Sequence, residues 1–216
     1  MKTLIYHHLG LGDHIICNAI VRYFYEKYGM LSLFVKKHNY PSVQALYRDI
    51  KINLIKVNND LECYDFFKDY NVIKVGFEKT TFPNWEESFY HQLNMDYSLR
   101  FSKFYIERDY QRERSLEKKL NLPKEFALCN NSYSGGKIDI NFKTNIHKIF
   151  LSPITDSLFD WIGVIEKAKE IHTMDSSIFQ LIKQLDIKVD KYFYDTRKIS
   201  QSRTSPPTKN WIVVSV

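Results

Sequence analysis

Short apolar runs alternate with amphipathic stretches along this chain, and that alternation restricts the fold more than any other property. KTLIYHH (Lys2 to His8), LSLFVKK (Leu31 to Lys37), INLIKV (Ile52 to Val57) and NVIKVGF (Asn71 to Phe77) read as strands. After the first of them, Ile15, Ile16, Ala19, Ile20, Tyr23 and Phe24 recur at helical spacing, and Gly29 is placed to stop that helix. YPSVQALYRDI, with Pro41 near its start, and LECYDFFKDY supply further helices. Strands alternating with helices across short connections imply βαβ units, and therefore a mainly parallel sheet with helices on both faces.

The second half resumes the rhythm. FPNWEESFYHQLNMDYSLRFSKFYI (Phe82 to Ile106) is aromatic and suits helices packed over a cleft, while ERDYQRERSLEKKLNL reads as a charged helix bridging to a second lobe. Leu122-Pro123 marks the expected boundary, which divides the chain into 1–122 and 123–216. Beyond it FALCNNSYS, HKIFLSPI, Glu170 to Met174, KYFYD and WIVVSV are strand candidates, with helices over SLFDWIGVIEKAK and after Asp175. SQSRTSPPTKN is a Ser/Thr/Pro-rich loop. A length of 216 residues accommodates one large domain or two small α/β lobes of roughly 100 residues each. With 44% hydrophobic and 26% charged residues, a packed core is expected, and disordered or fibrous classes are excluded.

The net charge of +6 favours anionic partners, and peripheral contact with a membrane surface is compatible with it. Lys and Arg are nevertheless interleaved with acids in their densest groups, RDYQRERSLEKK and KVDKYFYDTRK, which reads as solvated faces, and no nucleic-acid partner is expected. Cys17, Cys63 and Cys129 are odd in number and lack CxxC spacing, so neither a disulfide framework nor a zinc cluster is suggested and a reducing compartment fits. No charged leader precedes a cleavable apolar segment, and no run reaches the roughly 18 apolar residues of a spanning helix. The expected location is cytoplasmic.

Two helix starts carry the chemistry. In LGLGDH, Gly10 and Gly12 let the backbone turn tightly and approach a ligand, and the helix that follows presents unpaired N–H groups. Asp13 stands where it can act on a ligand or simply cap the helix. Ile15 departs from the full dinucleotide fingerprint. His7, His8 and His14 crowd the same strand end, where open α/β sheets place ligands, and alternation along the strand lets only one of His7 and His8 face that crevice. The second start lies in EIHTMDSSIFQLIKQL, where His172 ends a strand and Asp175, Ser176 and Ser177 open an amphipathic helix. Serine hydroxyls and free N–H groups there suit a diphosphate, and Asp175 a cap or a sugar hydroxyl. Lys137, in the flexible composition of NNSYSGGK, can reach a phosphate or lie in an exposed turn. There is no D-x-D pair, H-E-x-x-H, G-x-S-x-G or Walker lysine loop, so no metal and no cofactor is expected.

LGLGDHIICNAIVRYF and EIHTMDSSIFQLIKQL, about 32 residues in the expected order, resemble the GT-B class of glycosyltransferases, most closely the heptosyltransferase-like branch (ADP-heptose:LPS heptosyltransferase-type), in a reduced form. The resemblance implies two small Rossmann-like lobes with mainly parallel sheets facing a cleft. It implies an acceptor-side lobe in which Asp13 is the base; His8 and His14, which crowd the same strand end, are further catalytic candidates beside Gly10 and Gly12. It also implies a nucleotide-sugar-binding lobe in which His172, Asp175, Ser176 and Ser177 hold the donor, with Lys137 a further candidate from its own loop. The implied reaction is metal-independent, inverting transfer from a nucleotide-diphosphate sugar to a glycan, lipid-linked or other hydroxyl acceptor. The chain is short for that class, which leaves each lobe a minimal sheet. Two alternatives keep the same architecture: a nucleotide-sugar epimerase or hydrolase using His172 and a first-lobe histidine, and a non-catalytic sugar- or nucleotide-binding module.

Overall fold

The computed structural model describes residues 2–82, 84–200, 207 and 210–216. The chain forms two compact units, Met1–Glu107 and Arg108–Val216. The division falls before the charged helix, not after it at Leu122-Pro123.

In the first unit β1 (Lys2–Tyr6), β2 (Leu31–Lys36), β3 (Ile52–Val57) and β4 (Tyr70–Lys74) make a parallel sheet in the order β3-β2-β1-β4. Thr3 to Tyr6 and Leu31 to Val35 are buried without a break. Strands buried on both faces belong to a sheet covered on both sides, which is why these runs do not alternate apolar with polar. One face packs Leu4, Tyr6, Phe34, Val57 and Cys63 together. The first helical stretch is two helices, α1 (Leu11–Ile16) and α2 (Asn18–Tyr28), which join at Cys17 and stop at Gly29 in the left-handed conformation. Tyr23, counted with the apolar face from its spacing, is 46% exposed. α3 (Tyr40–Leu46) carries Pro41 in its first turn.

LECYDFFKDY is a 3-10 segment, Leu61–Asp69, and not an α-helix. Side chains three apart eclipse one another in that geometry, so Cys63 and Phe66 face the same cluster around Tyr6 and Phe34. The aromatic stretch forms α4 (Trp85–His91) and α5 (Leu99–Ser102). Buried Arg100 pairs with Glu86 across them, and the Tyr97 hydroxyl donates to Glu86 at 3.0 Å while accepting from Arg100 at 2.7 Å.

The second unit opens with α6 (Tyr110–Leu120), capped by Asp109, followed by β5 (Phe126–Cys129). NNSYSGGK contains a short antiparallel hairpin, β6 (Ser132–Tyr133) with β7 (Gly136–Lys137). After β8 (His147–Phe150) come a 3-10 turn (Leu158–Trp161), α7 (Ile162–Lys167), β9 (Glu170–Thr173), α8 (Ser177–Ile182), β10 (Asp190–Asp195), α9 (Arg197–Ser200) and β11 (Ile212–Ser215). The strands form a parallel sheet in the order β11-β10-β9-β5-β8. The expected loop SQSRTSPPTKN lies largely outside the described residues.

Ion pairs tie α6 to its own unit. Arg108 bridges Glu113 and Glu166, Arg112 bridges Asp156 and Asp160, and Lys167 meets Glu117 at 2.5 Å, while Leu116 is buried. Arg108, Arg112, Glu113 and Glu117 of RDYQRERSLEKK are thus engaged in ion pairs, while Arg114, Lys118 and Lys119 are exposed as a solvated face predicts. Arg197 is likewise taken by Asp195, at 2.6 Å.

Candidate functional site

Each sheet has one place where the chain reverses the direction in which it adds strands, and open α/β sheets bind ligands beyond the carboxyl ends of the strands there. In the first sheet the chain leaves β1 for β2 on one side and returns to β4 on the other, so the reversal lies between β1 and β4. In the second it runs from β5 to β8, then crosses to β9 on the far side of β5, so the reversal lies between β5 and β9. Both motifs singled out in the sequence fall at these two places.

Beyond β1, Gly10 occupies the cap position of α1 and Asp13 is the third residue of the helix. Asp13 is thus not the N-cap. Its carboxylate folds back over Gly10, where an added Cβ would lie 2.6 Å from Asp13 Oδ2. The absent side chain at position 10 makes room for that carboxylate. His7 and His14 turn inward and are 1% and 0% exposed, so neither ring presents a surface to a ligand, and the expected catalytic place of His14 is corrected accordingly. Burial pushes both imidazoles below their ordinary range, His7 to about 4. His8 faces the other way and is half-buried.

The ring of His8 stacks on Phe77, Trp85 and Phe89, with centroids 4.3, 5.0 and 5.9 Å away. The residues beyond β4 were missed from the sequence, whose one signal was a glycine ending an apolar run. Gly76 has φ 93°, and a Cβ there would lie 2.8 Å from His8 Cδ2. Phe77 has φ 61°, a left-handed conformation that costs a non-glycine residue about 1–3 kcal/mol. Hydrogen bonds hold it: Gly76 N–H donates to Gln92 Oε1 and Phe77 N–H to His8 Nε2, each at 3.0 Å.

In the second unit Ser176 is the N-cap of α8 and Ser177 its first residue. The Ser176 hydroxyl donates to Met174 O at 2.9 Å and accepts from Asn130 Nδ2 at 3.0 Å. Asn130, taken from composition as part of a flexible loop, is buried at the end of β5. Its amide also donates to Ser132 O at 3.1 Å, and its Oδ1 accepts from Ser132 N–H at 3.2 Å. One side chain therefore joins the two strand ends that flank the reversal point to the base of the hairpin carrying Lys137, which is exposed.

His172 does not join this group. Its side chain is fully buried, stacked on Tyr192 with centroids 4.4 Å apart, and both ring nitrogens are engaged, Nε2 with Glu170 Oε2 and Nδ1 with the Tyr194 hydroxyl, each at 3.0 Å. Burial, only partly offset by Glu170, lowers its pKa. The expected place of His172 beside sugar or phosphate is corrected accordingly: it ties β9 to β10 in the interior. Asp175 lies in the turn between β9 and α8, outside the cap position. Among the described residues no three His, Cys, Asp or Glu side chains gather as a metal site.

A crystal structure described as the glycosyl transferase family 9 from Veillonella parvula DSM 2008 superposes on this chain with a TM-score of 0.59, covering 99% of this chain and 86% of that one at 9% sequence identity. This chain shares the fold of that glycosyl transferase. No protein-family model and no curated protein matches the sequence. The likeness is carried by the fold, since so few residues coincide.

Proposed function

We propose that this protein is a glycosyltransferase that moves a sugar from a nucleotide-diphosphate donor to a hydroxyl acceptor, a glycan or a lipid-linked sugar. The observation that carries this reading is the position of the two turns: Gly10–Asp13 and Thr173–Ser177 each lie at the reversal point of their own parallel sheet. The likeness in fold to a glycosyl transferase family 9 structure supports it.

In this reading the first unit activates the acceptor and the second holds the donor. The Asp13 carboxylate takes the proton of the acceptor hydroxyl as its oxygen attacks the anomeric carbon. The bond from that carbon to the diphosphate oxygen breaks on the opposite face, and the diphosphate leaves with the electron pair, so the configuration inverts. Ser177, the N–H groups around it and Lys137 receive the developing negative charge. Asp175 binds a donor hydroxyl, and Ser176 shapes the turn. The reading draws on no metal, because the chain has no D-x-D pair. The epimerase or hydrolase alternative needs acid/base groups at the sugar ring, and one of its two candidates, His172, is committed to Glu170 and Tyr194.

Thermal shift across a panel of nucleotide-diphosphate sugars tests the proposal, followed by product analysis with hydroxyl acceptors. A donor present at about 100 times its Kd stabilises the folded protein by about 2.7 kcal/mol. One nucleotide class should stand out and should turn over only with acceptor. A panel without any stabilising donor would sink the proposal, and binding without turnover under every acceptor would leave a binding module.

A further inference from the structure

We propose that His8 is a positioning residue whose Nε2 lone pair latches the loop after β4 to the turn after β1 and so fixes where that loop stands. The inference rests on the reading of this strand end as the acceptor side of a transferase for its consequence, but not for its geometry. An N–H donor can be received only by a ring nitrogen that carries no proton. Phe77 N–H points at His8 Nε2 across 3.0 Å, so the ring proton belongs on Nδ1. The bond falls on a residue whose left-handed backbone, φ 61°, is unfavourable for a phenylalanine.

The surroundings fit a latch and not a proton-transfer group. Phe77, Trp85 and Phe89 pack on the imidazole, and the missing Cβ of Gly76 is what lets the ring approach. The next N–H back along the loop, that of Gly76, is held in parallel by Gln92, whose amide donates to Ser88 O at 3.0 Å within α4. The two side chains thus fix consecutive backbone donors at the exit of β4. Beyond them, Thr80 closes the loop by donating its hydroxyl to Phe77 O at 2.7 Å. His8 therefore sets where the loop stands, while Asp13, on the same turn, does the proton transfer.

Ring nitrogen chemical shifts and amide exchange test the latch without any substrate. In the unaltered protein the His8 ring should show an unprotonated Nε2 and a proton on Nδ1. His8→Phe keeps a stacking ring and removes the acceptor, so exchange at the Phe77 amide should speed up by about tenfold or more, with the amides of β1 within about threefold of their original rates. His8→Gln places an oxygen where Nε2 stood and should restore Phe77 protection to within about threefold. A proton on Nε2, or unchanged Phe77 exchange in folded His8→Phe, would overturn the proposal. If His8→Phe does not fold, the tautomer decides: a proton on Nε2 overturns the latch and one on Nδ1 with a bare Nε2 supports it. These readouts stand whatever the donor screen returns, so the latch and the transferase reading fail separately.

Discussion

The ring of His14 stands edge-on to that of His7, with centroids 4.5 Å apart and planes crossing at 81°, where solvent does not reach. His7 Nδ1 donates to the His8 carbonyl at 2.6 Å, while His7 Nε2 and both nitrogens of His14 have no hydrogen-bond partner among the described residues. Burial lowers the pKa of His7 from 6.5 to about 4 and lowers that of His14 well below its ordinary value, the neighbouring His7 adding to it. The unfolded chain takes up these protons as pH falls through about 6.5, and the folded protein does not, so stability falls with falling pH. His7 alone accounts for about 3 kcal/mol between pH 6.5 and its folded value of about 4. Urea unfolding at about pH 7.5 and about pH 5 should show the loss. His14→Leu should flatten the slope while changing stability at the higher pH by less than about 1.5 kcal/mol. An unchanged slope would remove His14 from the account.

Asp13→Asn keeps the shape of the side chain and removes its basicity. We expect kcat to fall by about 10²–10⁴, with donor affinity within about twofold of the unaltered protein. Gly10→Ala pushes a methyl group toward Asp13 Oδ2, at 2.6 Å if nothing moves, and should reduce kcat by up to about a hundredfold through displacement of the carboxylate. Full activity in Asp13→Asn would reduce Asp13 to a helix-start residue.

Replacing Ser176 and Ser177 together by Ala should weaken nucleotide-sugar binding by about tenfold. Asn130→Ala leaves the Ser132 N–H without its side-chain acceptor and removes the donor to the Ser176 hydroxyl, with an expected cost of about 1–3 kcal/mol in folding stability. Calorimetric titration of donor and chemical denaturation separate the two effects. Undiminished donor affinity in the double serine variant would place the diphosphate elsewhere.

Arg112 reaches Asp160 through two hydrogen bonds, at 2.9 and 2.8 Å, and Asp160 is 4% exposed. Arg112→Ala removes the cation from that carboxylate and leaves it the Thr155 hydroxyl, at 2.6 Å, as a donor, and should destabilise the protein by about 1–3 kcal/mol. Adding Asp160→Asn should recover part of the loss, whereas Asp156→Ala, at an exposed partner, should cost under about 1 kcal/mol. A double-mutant cycle followed by denaturation measures the coupling.

Much of the fold is legible in local pattern. β1 and β2 emerge close to their expected bounds because a strand covered on both faces must be apolar almost throughout, and β3 matches its bounds although only Val57 of it is buried, while the expected single helix before Gly29 is divided at Cys17 into α1 and α2. The Leu61–Asp69 segment was mistaken for an α-helix because its aromatic residues satisfy either period, and contact with Tyr6 and Phe34 selects the tighter one. RDYQRERSLEKK carries the composition of a solvated face and is largely exposed, but its Arg108 and Arg112 are paired with Glu166 and with Asp156 and Asp160, acids far along the chain that local composition does not reveal.

The sequence by itself determined the parallel α/β class and the two turns that deserve chemical interest, because strand length, helical period and glycine placement are local properties. Which ionisable groups remain available was decided by the tertiary structure alone. His7, His8, His14 and His172 look equivalent as letters. Yet three are withdrawn into the interior, and His8 is turned toward the loop after β4, because side-chain direction, packing neighbours and hydrogen-bond partners come from segments brought together across the sheet. Asn130 drew no attention for the same reason: its partners, Ser176 among them, meet it only when β5 and β9 lie side by side.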